Sequence, residues 1–358
     1  MRVSGSAEFP ATASLADRAG MREVADRAGV AMSSVSRVLS GHPDVSGSMR
    51  DRVMAAVEEL GYEPNMLAQM LRRGATQTIG FVVSDISNPL LAQIALGAEI
   101  ALRAAGYAML LTNSGEANMD ATHIRLLQQR RVDGLLLSVS DETSKDTIDT
   151  LRRSPTPNVL IDRDLELDDP ASALLSDHAA GISQAVEELI GLGHQRIALV
   201  AGSPHVRPTR ERINALEETI ENHAGVACQV RSGAFTETHG AAATRELLLG
   251  RRPPTAIIAG GNQILVGVLG EIAARRLRIP RDISLVTCDD VPLAKFFTPT
   301  LSMISRDPYE MGKVAAGMLL DRLSGGDAET VTLPTTFTAA GSCAAPPKLT
   351  STPSGDRS

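Results

Sequence analysis

The sequence predicts an α/β protein in which a small all-α helix-turn-helix headpiece precedes two Rossmann-like lobes. Three observations carry this. Two short helical patterns meet at a glycine near the N-terminus, and a stretch around Pro64 interrupts the helical periodicity. From Ile79 onward, short apolar runs alternate with amphipathic segments in two successive sets, the pattern of doubly wound parallel sheets. At 358 residues the chain exceeds one comfortable core, which suits a small module joined to a large body.

Residues 1–20 read as a disordered N-terminal extension. No basic stretch followed by an apolar one occurs there, so no secretory signal is expected and the expected compartment is the cytoplasm. The helix-turn-helix domain is placed at 21–63. Residues 22–28 bring Val24, Ala25 and Ala28 to one face before Gly29 breaks the helix. Residues 32–39 then turn Val35, Val38 and Leu39 inward and leave Ser33, Ser36 and Arg37 on the opposite face. Two short helices about a tight glycine turn are the helix-turn-helix signature. Ser46 can cap a third helix, in which Val53, Val57 and Leu60 recur at helical spacing until Gly61 ends it. Asn65 can cap a fourth, very short helix over 66–71, and with Arg72, Arg73 and Gly74 the stretch 64–78 reads as a conditionally folded hinge helix and linker.

Strands are expected at 79–83, 108–111, 134–139 and 159–161, and in a second set at 197–200, 228–231, 256–259 and 283–287. They build a core over 79–345, with lobe 1 at about 79–176 and 306–329 and lobe 2 at about 177–305 and 330–345. Ligands of such folds sit beyond the carboxyl ends of the strands. The tail 346–358 is polar and Pro-rich, and is expected to be disordered.

Composition narrows the function classes. Hydrophobic residues make up 43% of the chain with no run long enough to cross a bilayer, so no membrane partner is expected. Cys228, Cys288 and Cys343 are odd in number and widely spaced, which suits reduced thiols rather than disulfides or a metal site. The net charge of −7 does not favour nucleic acid, but residues 21–74 hold seven arginines against seven acidic residues, so the head is neutral and the rest carries the acidity. Gly191-Leu192-Gly193 and Gly260-Gly261-Asn262 lack the dinucleotide-binding glycine spacing, and neither a phosphate-binding loop nor a zinc-protease motif occurs. No catalytic residue and no cofactor is expected.

Several ordered motifs carry a resemblance. They are Glu23-Val24-Ala25, Ala28-Gly29-Val30, Val35-Ser36-Arg37-Val38-Leu39, and Glu59-Leu60-Gly61-Tyr62 with Pro64-Asn65. Ile79-Gly80, Asp85-Ile86-Ser87-Asn88-Pro89, Arg131-Val132-Asp133-Gly134, Gly193-His194 with Arg196-Ile197, and Cys288-Asp289-Asp290 follow in order. Over 21–346 the chain resembles the LacI/GalR family of bacterial transcription regulators. The resemblance implies lobes of the periplasmic-binding-protein type, a homodimer reading two half-sites of a near-palindromic operator in double-stranded DNA, and a small-molecule effector, a sugar or sugar derivative, between the lobes.

On that reading Met32, Ser33, Ser36 and Arg37 meet DNA from the recognition helix, Arg37 contacting either guanine O6 and N7 or a phosphate. Ala31 stands where the family has a capping Ser or Thr. In the hinge, Asn65, Ala68, Leu71 and Arg72 are the expected contacts. Leu71 matches the leucine wedged into the minor groove, with ordinary helix packing as its alternative. For the effector, Arg212 and Asp289 match the family's arginine and hydroxyl-binding aspartate, Asn262 lies beside its Asn-Asp pair, and Asp85, Ser138 and Arg163 sit at strand ends. The alternatives are a helix-surface ion pair for Arg212 and a cap on the turn into Pro292 for Asp289. Leu90-Leu91 stands where many relatives have aromatic residues that stack on a ligand ring. Two other functions share parts of the pattern: a soluble sugar-binding protein without regulatory DNA binding, and a doubly wound α/β enzyme.

Overall fold

The computed structural model describes residues 19–39, 42–62, 75–115, 119–167, 171–289 and 296–347. Asn65, Ala68, Leu71 and Arg72, most of the expected N-terminal extension and all but two residues of the expected tail lie outside the described residues. Two compact units divide the chain, Met1–Ala75 and Thr76–Ser358.

In the first unit, helices α1 (Met21–Ala28), α2 (Met32–Leu39) and α3 (Gly47–Glu59) close over one small core. Val24, Ala25, Ala28, Val35, Val38, Val53, Ala56 and Tyr62 form it. Gly29 ends α1 at φ 63°, a left-handed position that costs a residue without Cβ little and receives the turn between α1 and α2. Arg27 of α1 reaches Glu59 of α3 at 2.6 and 2.9 Å, tying the first helix to the third. Ser46 stands at the N-cap of α3 with extended backbone, but its side chain makes no capping bond. Instead its carbonyl accepts from Met49 and Arg50 at 3.1 Å.

The second unit contains two six-stranded sheets. The first consists of β1 (Thr78–Val83), β2 (Ala108–Asn113), β3 (Gly134–Ser138), β4 (Asn158–Ile161), β5 (Ser172–Asp177) and β11 (Thr330–Pro334), in the order β11-β5-β4-β3-β1-β2. All its pairings are parallel. The second consists of β6 (Arg196–Ala201), β7 (Ala227–Ser232), β8 (Ala256–Ala259), β9 (Ser284–Cys288), β10 (Ser302–Ser305) and β12 (Thr336–Thr338), in the order β12-β10-β9-β8-β6-β7, with β12 antiparallel at its edge. Apolar layers cover both faces of each sheet, which is why β3, β8 and β9 are buried at every position.

Helices α4 (Pro89–Ala104), α5 (Asp120–Gln129), α6 (Lys145–Arg152) and α11 (Pro308–Leu323) belong to lobe 1. Helices α7 (His178–Gly191), α8 (Arg207–Glu221), α9 (Glu237–Leu249) and α10 (Asn262–Ala274) belong to lobe 2. The chain crosses between lobes three times, after β5, after β10 and after β11. One expected boundary moves. The stretch from 330 was expected in lobe 2, yet Thr330–Pro334 pairs with β5 from Thr330↔Ala173 to Pro334↔Asp177, so lobe 1 runs to Pro334. The cause is side-chain alternation: Val331 and Leu333 pack on the lobe 1 core, and only after Thr335 does the chain join β10. Among the described residues no helix is long and apolar enough to cross a membrane.

Candidate functional site

Helix α2 presents two unlike faces. Val35 and Val38 are buried, whereas Met32, Ser33 and Arg37 are exposed and Ser36 is half-buried. Ser33 and Arg37, four residues apart, share the outer face, as the periodicity predicts. At the start of α2 the Ala31 carbonyl accepts from Ser34 at 2.8 Å and Val35 at 3.2 Å. Alanine has no side-chain acceptor, so Ala31 offers the first turn no side-chain cap.

In the second unit a cavity of about 1000 Å³ lies between the lobes, beyond the carboxyl ends of the strands. Asp85, Ser138 and Arg163 reach it from lobe 1, following or ending β1, β3 and β4; Arg212 of α8, Phe235 and Asp289 after β9 reach it from lobe 2. Five of the six sequence-predicted ligand residues therefore meet around one space. The sixth, Asn262, is buried in the first turn of α10 and does not line the cavity; its neighbours Gly261 and Gln263 do. Asn262 Nδ2 points to Asn88 Oδ1 of lobe 1 at 3.3 Å, and Gln263 Nε2 donates to Asp85 at 2.7 Å and to Ser87 at 3.1 Å. Asn262 is thus part of a bridge between lobes. Burial disfavours the Asp85 carboxylate, but the bonds from Ser87 and Gln263 outweigh it and hold the carboxyl below its ordinary range.

Across the cleft floor runs a buried ionic network. Asp162 follows β4 at φ 54° and Asp289 follows β9 at φ 71°; aspartate tolerates this left-handed backbone better than most residues do. Arg306 donates to Asp289 Oδ1 at 2.8 Å and also to Asp162. Arg212 donates to the Gly260 carbonyl at 2.7 Å and stands 3.5 Å from Asp289 Oδ2. Arg212 is 4% exposed, so the helix-surface ion pair does not describe it. Asp289 points its carboxylate at the two arginines.

Burial pulls His178 down to about 4 against the attraction of Asp162, so it is a neutral imidazole at pH 7, 2.9 Å from that carboxylate. Burial alone would raise Asp162, but His178, Arg306 and their hydrogen bonds hold it well below the carboxylate range. With His178 neutral at pH 7, the cations beside Asp162 there are Arg306 and Arg207. On the opposite flank Glu142 of lobe 1 takes Arg210 at 2.6 Å and the Arg207 amide at 2.8 Å, both from lobe 2.

Asp162, His178, Phe235, Gln263 and Arg306 were not among the sequence-predicted residues. Asp162 was within reach of the strand-end rule that selected Arg163 beside it. Phe235 supplies an aromatic wall from lobe 2 where Leu90-Leu91 in lobe 1 lacks one; its ring lies so close to Gly202 that a Cβ there would stand 2.1 Å from it. Arg306 follows β10, a four-residue strand ending in serines that gives little apolar signal.

Residues 20–65 match the model of bacterial regulatory proteins of the lacI family, and residues 186–343 match that of a periplasmic binding protein-like domain. The ribose operon repressor of Escherichia coli strain K12 is 32% identical over 86% of this chain and 93% of its own length. Catabolite control protein A of Priestia megaterium is 30% identical over 83% of this chain and 90% of its own. Among solved structures, a lac repressor dimer bound to operator and the anti-inducer ONPF superposes at TM-score 0.81 with 26% identity, covering 91% of this chain and 99% of that one. The complex of the transcriptional regulator CelR with cellobiose superposes at 0.69 with 30% identity, covering 91% and 100%. With both units matched in order, and with relatives aligned over nine-tenths of their own length, the chain belongs to the lacI family of bacterial regulatory proteins.

Proposed function

We propose that the chain is a sequence-specific transcription repressor, acting in the cytoplasm as a homodimer on operator DNA and controlled by a sugar-like effector in the cleft between its lobes. One observation carries the reading: polar residues from strand ends of both lobes converge on a single cavity, in a chain that also bears a helix-turn-helix head. A site that draws ligand groups from two hinged bodies rewards a ligand for changing their angle, which is what an effector must do.

The residue roles follow from chemistry. Arg212 offers planar donors and Asp289 a carboxylate acceptor, the pairing that holds vicinal hydroxyls, while the face of Phe235 suits the apolar side of a sugar ring. About 1000 Å³ is roomy enough for a mono- or disaccharide, in keeping with solved relatives that hold ribose and cellobiose. In the head, the outer face of α2 carries Met32, Ser33, Ser36 and Arg37 toward base edges of the major groove.

Mapping genomic sites occupied by the tagged protein, then titrating the recovered sequence with purified protein with and without D-ribose or cellobiose, tests the proposal. Discrete sites with a near-palindromic motif are expected, with a binding midpoint that moves in one of the sugars. Sequence-independent binding would reject the operator reading. A midpoint indifferent to both sugars and to a wider panel of carbohydrates would reject the effector class.

A further inference from the structure

Arg306 stands at one of the three places where the chain changes lobe, between the end of β10 in lobe 2 and the first turn of α11 in lobe 1. Its side chain is 5% exposed. Nε donates to Asp289 of lobe 2 at 2.8 Å, and Nη1 donates to Asp162 of lobe 1 and, at 2.9 Å, to the Ser176 hydroxyl near the end of β5. The other two crossings are joined as well: Thr335 donates to the Asp177 carbonyl at 2.5 Å and accepts from the Gly181 amide at 3.1 Å.

Each carboxylate has a second cation of its own. Arg207, from α8 of lobe 2, stands 3.3 Å from Asp162 and so also bridges the lobes but reaches only that one aspartate, and Arg212 stands 3.5 Å from Asp289 within lobe 2. Neutralising the two aspartates therefore does not require Arg306. Among the described residues, Arg306 is the cation that pairs with both at once. A guanidinium is planar and rigid, so fixing two of its nitrogens to carboxylates on different lobes fixes the angle between those lobes.

We propose that Arg306 is a positioning residue: a buried tether at a lobe crossing that holds the two lobes at the angle seen here and orients Asp289 in the cleft, with no ligand required. This concerns the lobe angle and is independent of which ligand the cleft takes. Its consequences are read at two amides that cross the cleft: the Glu142 amide donates to the His205 carbonyl at 3.0 Å, outside the Arg306 network, and the amide of Arg207, whose side chain shares Asp162 with Arg306, donates to Glu142 at 2.8 Å. Both lose their partners whenever the lobes swing apart.

Hydrogen exchange read by mass spectrometry on the full chain without added ligand tests it. Arg306→Gln is expected to speed exchange of the Glu142 and Arg207 amides by about tenfold or more. The amides of Leu136 in β3 and Ile258 in β8, inside the sheets, should stay at the wild-type rate. Arg306→Lys keeps the charge but cannot span both carboxylates, so an intermediate rate is expected; if the glutamine variant does not fold, the lysine variant carries the test alone. Wild-type protection of the cross-lobe amides in the folded variants overturns the proposal. Equal acceleration at the cross-lobe and sheet amides overturns it too, since Arg306 would then support the fold as a whole rather than the lobe angle.

Discussion

Arg37 and His178 show how one side chain's surroundings decide what it does. Arg37 projects from the exposed face of α2, opposite the buried Val35 and Val38, so truncating it removes nothing from the head's core. Arg37→Ala should therefore leave folding and ligand binding intact while costing about 1 to 3 kcal/mol of operator affinity per half-site. A titration at fixed salt checks this, and unchanged affinity and sequence preference would remove Arg37 from the reading surface. His178 is the opposite case. Its pKa falls from 6.5 to about 4 because burial penalises the imidazolium more than Asp162 rewards it. Between those values the unfolded chain takes up a proton that the folded chain refuses, so stability is full above the unfolded value and declines as pH falls through the window. From pH 7 to pH 5 the loss attributable to this residue should be about 1 to 2 kcal/mol. Burial lowers His194 in the same direction, so the wild-type slope is shared. His178→Asn, which keeps a donor for Asp162, should flatten the fall in urea midpoint between those pH values, and an undiminished slope would place the effect elsewhere.

Whole elements were legible to different degrees. The three head helices and the long apolar strands could be read directly, because burial on both faces writes a continuous Val/Ile/Leu run and a one-sided helix writes a 3.6-residue period. Ser172–Asp177 carries no continuous apolar run because its burial alternates, and Ser302–Ser305 and Thr336–Thr338 carry none because they are short and rich in hydroxyls. That gap also hid part of the site: Arg306 follows an unread strand, and its pairing with Asp162 spans 144 residues, a separation no local pattern encodes. Arg212 and Asp289 are legible only through the family resemblance, and the fold brings them within 3.5 Å of each other in the cleft. Close helix packing was equally hidden. Helices α4 and α11 approach so tightly that a Cβ on Gly97 would lie 2.0 Å from the Tyr309 carbonyl oxygen, and one on Gly312 would lie 2.0 Å from that of Ile94. Backbone cannot yield as a side-chain tip can, so Gly97→Ala should destabilise by about 1 to 3 kcal/mol or more. Gly317 on α11 has open space around the same position, and Gly317→Ala should raise stability by about 0.5 to 1 kcal/mol through helix propensity alone. Urea unfolding of the two variants gives shifts of opposite sign; a common sign would mean that propensity or packing had been misjudged at one of them.

At the scale of the molecule, reading and sensing are assigned to different units, and this gives the function a separable signature. The head has its own core around Val24, Val35 and Val53, while the cleft residues belong wholly to the second unit. An effector acts on DNA binding only through a difference in its affinity for two states of the chain, and a coupling of about 1 to 3 kcal/mol is typical. Asp289→Asn keeps an oxygen for Arg306 but loses the carboxylate, so it should abolish the effector response yet leave operator affinity in the absence of effector near the wild-type value. If the hinge stretch makes DNA contact conditional, as the family resemblance implies, Leu71→Ala should weaken operator binding and leave effector affinity unchanged. Both variants are measured in the same way: an operator titration with and without the sugar that moves the wild-type midpoint, beside calorimetry of that sugar on protein alone. Two clean and opposite losses are the expected pattern. An Asp289→Asn protein that still responds at wild-type sugar concentrations would show that the effector does not sit on this cleft floor. A Leu71→Ala protein with full operator affinity would show that residue to be ordinary packing, and the DNA contact would have to come from the head and the rest of the hinge stretch.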